Sequence, residues 1–526
     1  MRVGYSSIYS WRPHVEHLHF LATLSRQSGH EAFYLTCDAD FPTCYARELR
    51  PERSAWMNCA RCRIGGVRSY ADRNVSSIGP LVSKTDSTSL DAYSWAVSSA
   101  STLGRFESDA DFAGDAFRTL AARLEPVART SYIAARRWID KEKLDAICVF
   151  NGRMDATRGI LEAARTAGIR CISVERTWFG DGLHLTPDEN CLGLREVSRL
   201  VENWCDKPLS EAQALRAVSH IALRFLRRNT KEWRAYNTDA TRNAWPSSGG
   251  ARRILLTPGS RNEVWRHPDW ESSWSERTAA FDAIIDHLNL RPDDLVLRCH
   301  PNWGEKIGSE LGQLSEIYYT SWAKSRGICT IPSRDPTSTL GLIEQADAIV
   351  VCGGSAALEA GIIGKQVIAT SPSVYQSAGF ESPVYSSDQL GTFALHVDQN
   401  ESSRACTAAR ISKLALRFAY TMIYRVAQYV DFVRCVNTTQ YRYLQGANPQ
   451  RFVDLIHSGV LTADDTRSEV SDSGEQLILE LIKARAWDRL AASYDPLADR
   501  PRLRVQRRWM YRPVDRLRDV WPRGDL

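Results

Sequence analysis

The chain has 526 residues, which is too long for one ordinary hydrophobic core and predicts two or three domains. Its composition, 43% hydrophobic and 25% charged, is that of a folded protein, and a net charge of +5 is too small at this length to indicate nucleic-acid binding. No segment reaches the roughly 18 to 20 consecutive apolar residues that span a bilayer. Because the amino terminus has the pattern of a strand and not of a signal peptide, we expect a cytoplasmic protein.

The first half of the chain alternates strands with helices. A strand at residues 2–6 precedes a helical run that ends at Gly29, and a second strand follows at 33–36. Further on, "KLDAICVF" predicts a strand, "ATRGILEAARTAGI" an amphipathic helix closed by Gly168, and "RCISVER" another strand. We place a first domain at residues 1–245.

The second half repeats this alternation after a Pro/Ser/Gly cluster, "WPSSGGARR", that marks the domain boundary. We place the second domain at residues 250–395. Strands that alternate with helices predict parallel, doubly wound sheets. The predicted fold is therefore α/β, with two Rossmann-like domains facing across a cleft.

The carboxyl-terminal part has a different composition. Residues 400–446 predict helices that pack the two domains together, and residues 447–526 form a polar, basic extension. The end of this extension, 500–523, is rich in arginine and contains Trp509 and Tyr511. We expect it to rest on an anionic membrane surface, which would hold the protein at the inner face of the membrane; a solvated tail is the alternative.

Three strand ends in the second predicted domain carry residues suited to a phosphate. "VVCGGSAALEAGIIGK" joins a strand to a helix through glycines, where free N–H groups and the helix dipole attract an anion. "LVLRCHPN" and "LLTPGSRNEVW" end two other strands, and carboxyl ends of parallel strands meet at one sheet edge. The predicted nucleotide-binding residues are Ser260, Glu263, Arg298, His300, Asn302, Gly353, Gly354, Ser355, Glu359 and Lys365.

Simpler interpretations exist for four of these residues. Ser355 could cap a helix, and Glu359 could complement the helix dipole without binding sugar or ribose hydroxyls. Lys365 could be a solvated charge at the end of a helix, and His300 could be a packed structural histidine.

Several of these motifs are familiar as a set. "RCHPN", "DPTSTLGLIEQADAIVVCGGSAALEAGIIGKQVI" and "SVYQSAGF" resemble the donor-binding half of bacterial surface-polysaccharide glycosyltransferases of the capsule type, which have the GT-B fold. Gln366 replaces the proline usual in that pattern. "VFNGRMDATRGILEAARTAGI" with "SVER", and "CDADFPTC" with "CARC", are similar to segments of the first domain in the same group.

The resemblance implies transfer of a sugar from a nucleotide-sugar donor to a growing polysaccharide or a lipid-linked glycan. In similar enzymes the histidine of the His-Pro motif and the serine turn contact the donor phosphates, so His300 is expected to take part in catalysis. Without a catalytic metal, cationic side chains and helix amino termini would stabilise the leaving phosphate. We assign that role to Arg298, His300, Lys365 and the amides of residues 353–355.

The acceptor would then lie on the first domain. Glu175 ends a predicted strand and is our choice of general base, with Arg153 and Asn151 positioning the substrate; a structural ion pair between Glu175 and Arg153 is the alternative. Asp155 could also approach the acceptor hydroxyl. His14 and His17 share a helical face, so they are assigned to the acceptor side, with surface placement as the default.

Four cysteines fall within one short segment, 37–62. Cys59 and Cys62 have the C-x-x-C spacing that lets two thiolates hold one tetrahedral metal ion, and Cys37 and Cys44 precede them. The pattern predicts a structural zinc site. Because the spacing of the first pair is not that of a standard zinc knuckle, reduced thiols or a redox pair are the alternatives.

Three other functions compete with glycosyl transfer. A polymerase that transfers glycerol phosphate from CDP-glycerol shares the His-Pro and serine-turn arrangement. Nucleotide-sugar 2-epimerases share the architecture, but "TSPSVYQSAGF" stands where they usually carry another loop. A transferase fold without activity, acting as a scaffold for polysaccharide assembly, is the third.

Overall fold

A computed structural model describes residues 1–70, 73–83, 86, 89–232, 239–246, 249–391, 393–491, 500–505, 507–511 and 513. Two six-stranded sheets dominate it, one in each half of the chain. When the six strands of each sheet are numbered separately along the chain, both sheets have the order 3-2-1-4-5-6. This is the order of Rossmann domains. The predicted α/β fold with two Rossmann-like domains is confirmed.

The first sheet runs through the amino-terminal half. Its strands are β1 (Arg2–Ser7), β2 (Glu31–Thr36), β3 (Val75–Ser77), β4 (Ala146–Phe150), β5 (Arg170–Arg176) and β6 (Leu183–Pro187). Neighbouring strands are parallel except for β6, which runs antiparallel to β5. The central strands are buried along their whole length because helices cover both faces, which explains their continuous apolar sequences.

The second sheet is parallel throughout. Its strands are β7 (Ile254–Thr257), β8 (Leu295–Arg298), β9 (Cys329–Ile331), β10 (Ala348–Val351), β11 (Gln366–Ala369) and β12 (Glu381–Pro383). The order of the strands reverses between β7 and β10, and ligands of such sheets bind beyond the carboxyl ends of the strands at this switch point. The two glycine-containing turns that the sequence singled out follow these two strands.

Helices connect the strands and continue after the second sheet. Those of seven residues or more are α1 (His14–Gln27), α2 (Ala55–Gly65), α3 (Ala92–Gly104), α4 (Asp115–Glu142), α5 (Asp155–Ala167), α6 (Arg195–Trp204), α7 (Glu211–Phe225), α8 (Arg277–His287), α9 (Gln313–Ser325), α10 (Thr339–Gln345), α11 (Ala356–Ile362), α12 (Glu401–Thr421), α13 (Gln450–Ser458) and α14 (Ser473–Lys483). Helix α5 ends at Gly168, whose φ of +69° allows the left-handed cap, as its sequence predicts. No helix among the described residues is long and apolar enough to cross a membrane.

The segment after the second sheet returns to the first domain. Helix α12 packs on α11 of the second domain and also on α6 and α7, so it contacts both halves of the molecule. A hairpin, β13 (Val433–Asn437) and β14 (Gln440–Tyr443), follows it. Tyr443 of this hairpin stacks on Phe20 of α1, so the carboxyl-terminal part of the chain covers the amino-terminal sheet.

The basic end of the chain lies partly on the protein surface. The amide of Leu503 donates to the Tyr443 carbonyl at 2.8 Å, and that of Arg508 donates to the Ser69 carbonyl at 2.7 Å. The Arg507 guanidinium lies 5.3 Å from the centre of the Tyr70 ring. This part of the tail therefore packs against the first domain, whereas residues 514–523 of the predicted membrane segment lie outside the described residues.

Candidate active site

Two cavities lie at the carboxyl edge of the second sheet. One, here called the sheet-edge cavity, has a volume of about 520 Å³ and lies beside Arg298, Ser355 and Glu359. The other, the interdomain cavity, has a volume of about 390 Å³ and is lined by residues of both domains, including Asn151 and Ser260. Both cavities are lined by Gly259, His300 and Gly354. The three predicted strand ends thus meet where the two cavities join.

His300 stands at this junction. The Asn302 amide donates to its Nδ1 at 3.2 Å. Burial lowers the pKa of His300 to about 4, so the ring is neutral near pH 7. Because Nδ1 accepts a hydrogen bond, the single proton of the neutral ring sits on Nε2. His300 can therefore act as a neutral N–H donor, and not as the cation expected from the sequence.

The glycine turn opens onto both cavities. Gly353 has a φ of +82°, a conformation that favours glycine. A Cβ added at Gly354 would have no atom within 4 Å, so the backbone there faces open space. Ser355 forms no side-chain cap bond to α11, which begins at the next residue. This leaves the Ser355 hydroxyl and the amides of the turn available to a ligand.

Arg298 and Arg277 bring positive charge to the two cavities. The Arg298 guanidinium donates to the carbonyls of Pro332 and Asp335, and burial lowers the pKa of this side chain. Arg277 lines the interdomain cavity and donates to the Gly259 carbonyl at 2.7 Å. Although burial opposes its charge, nearby Tyr319 and other acidic groups raise the Arg277 pKa. Arg277 carries no sequence signal because it begins a helix away from any strand end.

Other predicted nucleotide-binding residues differ in their placement. Glu263 and Asn302 line the interdomain cavity, and the Ser260 hydroxyl there accepts a hydrogen bond from the Trp303 indole at 2.8 Å. Glu359 lines the sheet-edge cavity, but its Oε1 accepts from Arg224 at 2.7 Å, and burial raises its pKa. An ion pair therefore occupies one of the oxygens that we expected to bind a sugar or ribose hydroxyl.

Lys365 was placed wrongly by the sequence. Its ammonium donates to the Ala346 carbonyl at 2.6 Å. Ala346 precedes β10, whereas the glycine turn follows the same strand, so Lys365 lies at the opposite edge of the sheet. The short helix α11, Ala356–Ile362, leads from the glycine turn back to the start of β11, which Lys365 precedes. Lys365 lines neither of the two cavities.

Glu175, Asn151 and Arg153 form the facing wall of the interdomain cavity. The Glu175 carboxylate accepts from the Arg176 amide at 2.9 Å and from Asn151 Nδ2 at 3.4 Å. His14 Nε2 lies 3.5 Å from Glu175 Oε1. Burial raises the pKa of Glu175. A carboxylate with a raised pKa at the wall of a cavity suits the role of proton acceptor.

Arg153 connects the two domains instead of pairing with Glu175. Its guanidinium donates to the Glu263 carbonyl at 2.8 Å and to Ser98 Oγ at 3.1 Å. Its own amide donates to Asn151 Oδ1 at 2.9 Å. Arg153 therefore fixes the loop that carries Asn151 against the second domain, and a positioning role fits these contacts.

Three residues assigned to the acceptor side are structural. Asp155 is fully buried and accepts from the Tyr9 hydroxyl and from the Tyr45 amide. His17 is fully buried, and the Tyr443 hydroxyl lies 3.0 Å from its Nδ1. His14 is also buried and does not line the interdomain cavity, but its Nε2 lies 3.5 Å from Glu175 Oε1. The helical pattern could not reveal the burial of His17 because the carboxyl-terminal hairpin, distant in sequence, covers that face of α1.

The four cysteines line one small cavity in the first domain, of about 50 Å³. Burial raises the pKa of Cys37 to about 11 and also raises that of Cys44, which favours neutral thiols. Cys59 Sγ accepts from Arg47 at 2.9 Å. Within the described part of the chain, no three His, Cys, Asp or Glu side chains are grouped as a metal site would need. The zinc prediction is not confirmed.

Two residues that the sequence did not single out join the domains beside the cleft. Glu107, nearly inaccessible to solvent, accepts from Ser315 Oγ at 2.7 Å and from the Tyr319 hydroxyl at 3.0 Å, both on α9. Arg105 donates to the carbonyls of Asn302 and Glu305. Both residues follow α3 in a loop, where no periodic pattern points to a contact with the second domain.

Comparisons with known proteins give distant structural similarities. No protein-family model and no curated protein match the sequence. The β-Kdo 2,4-transferase KpsC of Thermosulfurimonas dismutans is 16% identical, with a TM-score of 0.33, over 60% of this chain and 86% of that one. The UDP-GlcNAc 2-epimerase of Methanocaldococcus jannaschii is 13% identical, with a TM-score of 0.27, over 74% and 91%.

A third similar structure is the Streptomyces sp. SF2575 glycosyltransferase SsfS6 in complex with thymidine diphosphate. It is 12% identical with a TM-score of 0.20, and the alignment covers 78% of this chain and 96% of that one. At such TM-scores these similarities assign neither an activity nor a substrate to the chain. An activity has to be inferred from the residues that line the two cavities.

Proposed function

We propose that the protein is a glycosyltransferase that moves a sugar from a nucleotide-sugar to a glycan. One observation carries the proposal: a cavity at the carboxyl edge of one Rossmann-like sheet shares His300 and Gly354 with a second cavity that is lined by residues of both domains. Such an arrangement provides one site for the nucleotide and an adjoining one where a second substrate can meet the transferred group. The first domain, 1–245, would hold the acceptor and the second, 250–395, the donor.

The donor would occupy both cavities. A volume of about 520 Å³ is within the range of small-molecule sites, so the sheet-edge cavity can hold the nucleoside. The phosphates would bind the amides of residues 353–355, the Ser355 hydroxyl and His300. The sugar would then extend past Gly354 into the interdomain cavity, where it would face Glu175.

The transfer step follows from these positions. Glu175 would take the proton of the acceptor hydroxyl while the oxygen of that hydroxyl forms a bond to the anomeric carbon of the sugar. The bond between that carbon and the phosphate oxygen would break, and the nucleotide would leave with the electron pair. His300 Nε2–H and the turn amides would stabilise the negative charge on the leaving phosphate, with Arg277 and Arg298 adding positive charge nearby.

The two-cavity arrangement favours transfer over epimerisation. A 2-epimerase converts one nucleotide-sugar and needs no room for an acceptor, whereas the interdomain cavity extends from His300 to Glu175 and on to Trp178. The resemblance to capsule-type transferases supports a growing surface polysaccharide or a lipid-linked glycan as the acceptor. Location at the inner face of the membrane fits this acceptor, and the exposed Trp509 and Met510 near the chain end could contact lipid.

A transfer assay tests the proposal. Purified protein is incubated with a panel of nucleotide-sugars and glycan acceptors, and release of the nucleotide and extension of the acceptor are both measured. Glu175→Gln should lower transfer by about 100-fold or more, the usual contribution of a general base, with donor binding retained. The control variant is Glu211→Gln, which changes an exposed glutamate on α7. Equal transfer by both variants would remove Glu175 from the mechanism.

A further inference from the structure

The small cavity in the first domain is unusually rich in arginine. It lies between the loop that follows β2 and helix α2, and it shares no lining residue with the two cavities of the cleft. Four arginines line it, and no aspartate or glutamate does. These four residues, here called the arginine cluster, are Arg12, Arg47, Arg50 and Arg61.

Two members of the arginine cluster have partners within the protein. Arg12 pairs with Glu16 at 2.7 Å, and Arg47 donates to Cys59 Sγ and to the Pro42 carbonyl. Arg50 and Arg61 differ from these two in lacking such partners within the part of the chain that the structure describes. Among the described residues, the guanidinium groups of Arg50 and Arg61 form neither a hydrogen bond nor an ion pair, although Arg50 is only 8% exposed.

An arginine buried in this way is costly without a counter-charge. A guanidinium stays protonated at any pH that a protein experiences, so burial cannot simply neutralise it. Burial lowers the pKa of Arg50 to about 10, and nearby Arg61 and Arg53 lower it in the same direction. Cys62, which lines the cavity, and Glu52 act in the opposite direction, but Glu52, the carboxylate of the two, pairs with Arg53 and does not line the cavity. The local charge is therefore uncompensated.

We infer that this cavity binds a phosphate group, with Arg50 and Arg61 as its principal ligands. The forked guanidinium matches the oxygens of phosphate and forms strong charge-assisted hydrogen bonds with them. A volume of about 50 Å³ accommodates one small tetrahedral anion, whereas small-molecule pockets for nucleotides or sugars are several times larger. The ligand is thus a phosphate, either free in solution or at the end of a larger molecule such as a lipid.

This site is independent of the proposed transferase reaction. Its nearest cysteines offer the one competing explanation, in which thiolates holding a zinc ion balance the arginines. The two explanations differ in composition, because a zinc site would bring metal with the purified protein and the phosphate site would not need any. Both can therefore be tested on the same preparation.

The test measures thermal unfolding of the full chain against inorganic phosphate, with chloride at equal ionic strength as the reference. The background is His300→Ala, which removes a proposed phosphate ligand in the cleft. Phosphate should raise the unfolding temperature of this protein, and Arg50→Met should weaken phosphate binding at least about tenfold. Arg118→Met, at an exposed arginine paired with Asp115, should leave the response unchanged.

A second measurement, thermal unfolding without phosphate, shows whether the Arg50→Met variant is folded. Because Arg50→Met removes an uncompensated buried charge, it should unfold in phosphate-free buffer at a temperature no lower than the parent protein. If it unfolds earlier, Arg61→Met on the same cavity takes its place in the titration. Loss of the phosphate response with either variant supports the site.

Vesicles distinguish the two sources of the phosphate. Sedimentation with phosphatidylcholine vesicles that contain phosphatidic acid, dependent on Arg50, would identify a lipid phosphate. Binding of inorganic phosphate without such sedimentation would identify a soluble one. The inference is wrong if phosphate has no more effect than chloride, if Arg50→Met responds like its parent, or if about one zinc per chain is found and is lost on Cys59→Ser.

Discussion

The neutral state of His300 leads to a specific prediction about catalysis. The ring contributes one preorganised N–H donor at the junction of the two cavities, and loss of one such donor costs about 100-fold to 1,000-fold in turnover, or roughly 3 to 4 kcal/mol. His300→Ala should show this loss. His300→Gln, whose amide nitrogen can reach the place of Nε2, should recover part of it. His287→Ala, on the exposed face of α8, serves as the histidine control.

The pH dependence separates a neutral donor from a cation. Since burial lowers the His300 pKa to about 4, the protonation of this ring does not change between about pH 5 and 8, and the turnover of the wild-type protein should have no inflection near 6.5 that depends on His300. The assay is turnover at saturating donor across this range for wild type and His300→Gln. An acid-favoured limb near pH 6.5 in the wild type that vanishes in the variant would show an imidazolium and refute the reasoning, as would turnover within about tenfold of wild type for His300→Ala.

Two further predictions concern stability. Burial lowers the pKa of His17 to about 3, so the unfolded chain takes up a proton as the pH falls below about 6.5 while the folded one does not, and stability is lost progressively from there toward pH 3. His17→Gln should remove about 2 to 3 kcal/mol of the loss between pH 7 and about 4.5 in urea unfolding, and an unchanged loss would show that the ring is already accessible. Glu107→Ala leaves Ser315, Tyr319 and the Arg261 amide without their shared acceptor, so it should lower the free energy of unfolding by about 3 to 5 kcal/mol. A loss below about 1 kcal/mol would mean that Glu107 does not hold the domains together.

The sequence predicts the fold because both domains use local rules. Apolar strands followed by amphipathic helices give parallel sheets, and the residues after each strand, such as His300 and Gly354, must then lie at one edge. The same reasoning correctly brings Glu175 to the facing wall. Local sequence patterns predict where a residue lies along a strand or a helix. This information is sufficient to place His300, Gly354 and Glu175.

Residues whose role depends on distant contacts were not predictable in this way. His17 shares a helical face that suits exposure, and Asp155 was predicted to approach the acceptor hydroxyl. Instead, the carboxyl-terminal hairpin covers His17, and the buried Asp155 accepts from the Tyr9 hydroxyl. Glu107 contacts residues about 200 positions away, and no spacing in the sequence indicates such a contact. The prediction for Lys365 was wrong for a simpler reason. A short helix returns the chain to the opposite edge of the sheet, where Lys365 donates to the Ala346 carbonyl.

The most direct test of the account is nucleotide binding at Gly354. A Cβ added there meets no atom within 4 Å, so we expect Gly354→Leu to fold normally and to place its side chain between the two cavities. The control is Gly391→Leu, an exposed glycine whose added Cβ also meets nothing closer than 4.0 Å. Calorimetric titration with CMP, CDP, UDP and GDP and their sugar conjugates should show one nucleotide that binds wild type and Gly391→Leu, with its sugar conjugate excluded from Gly354→Leu. Equal binding of that conjugate by all three proteins would contradict a donor site in this cleft.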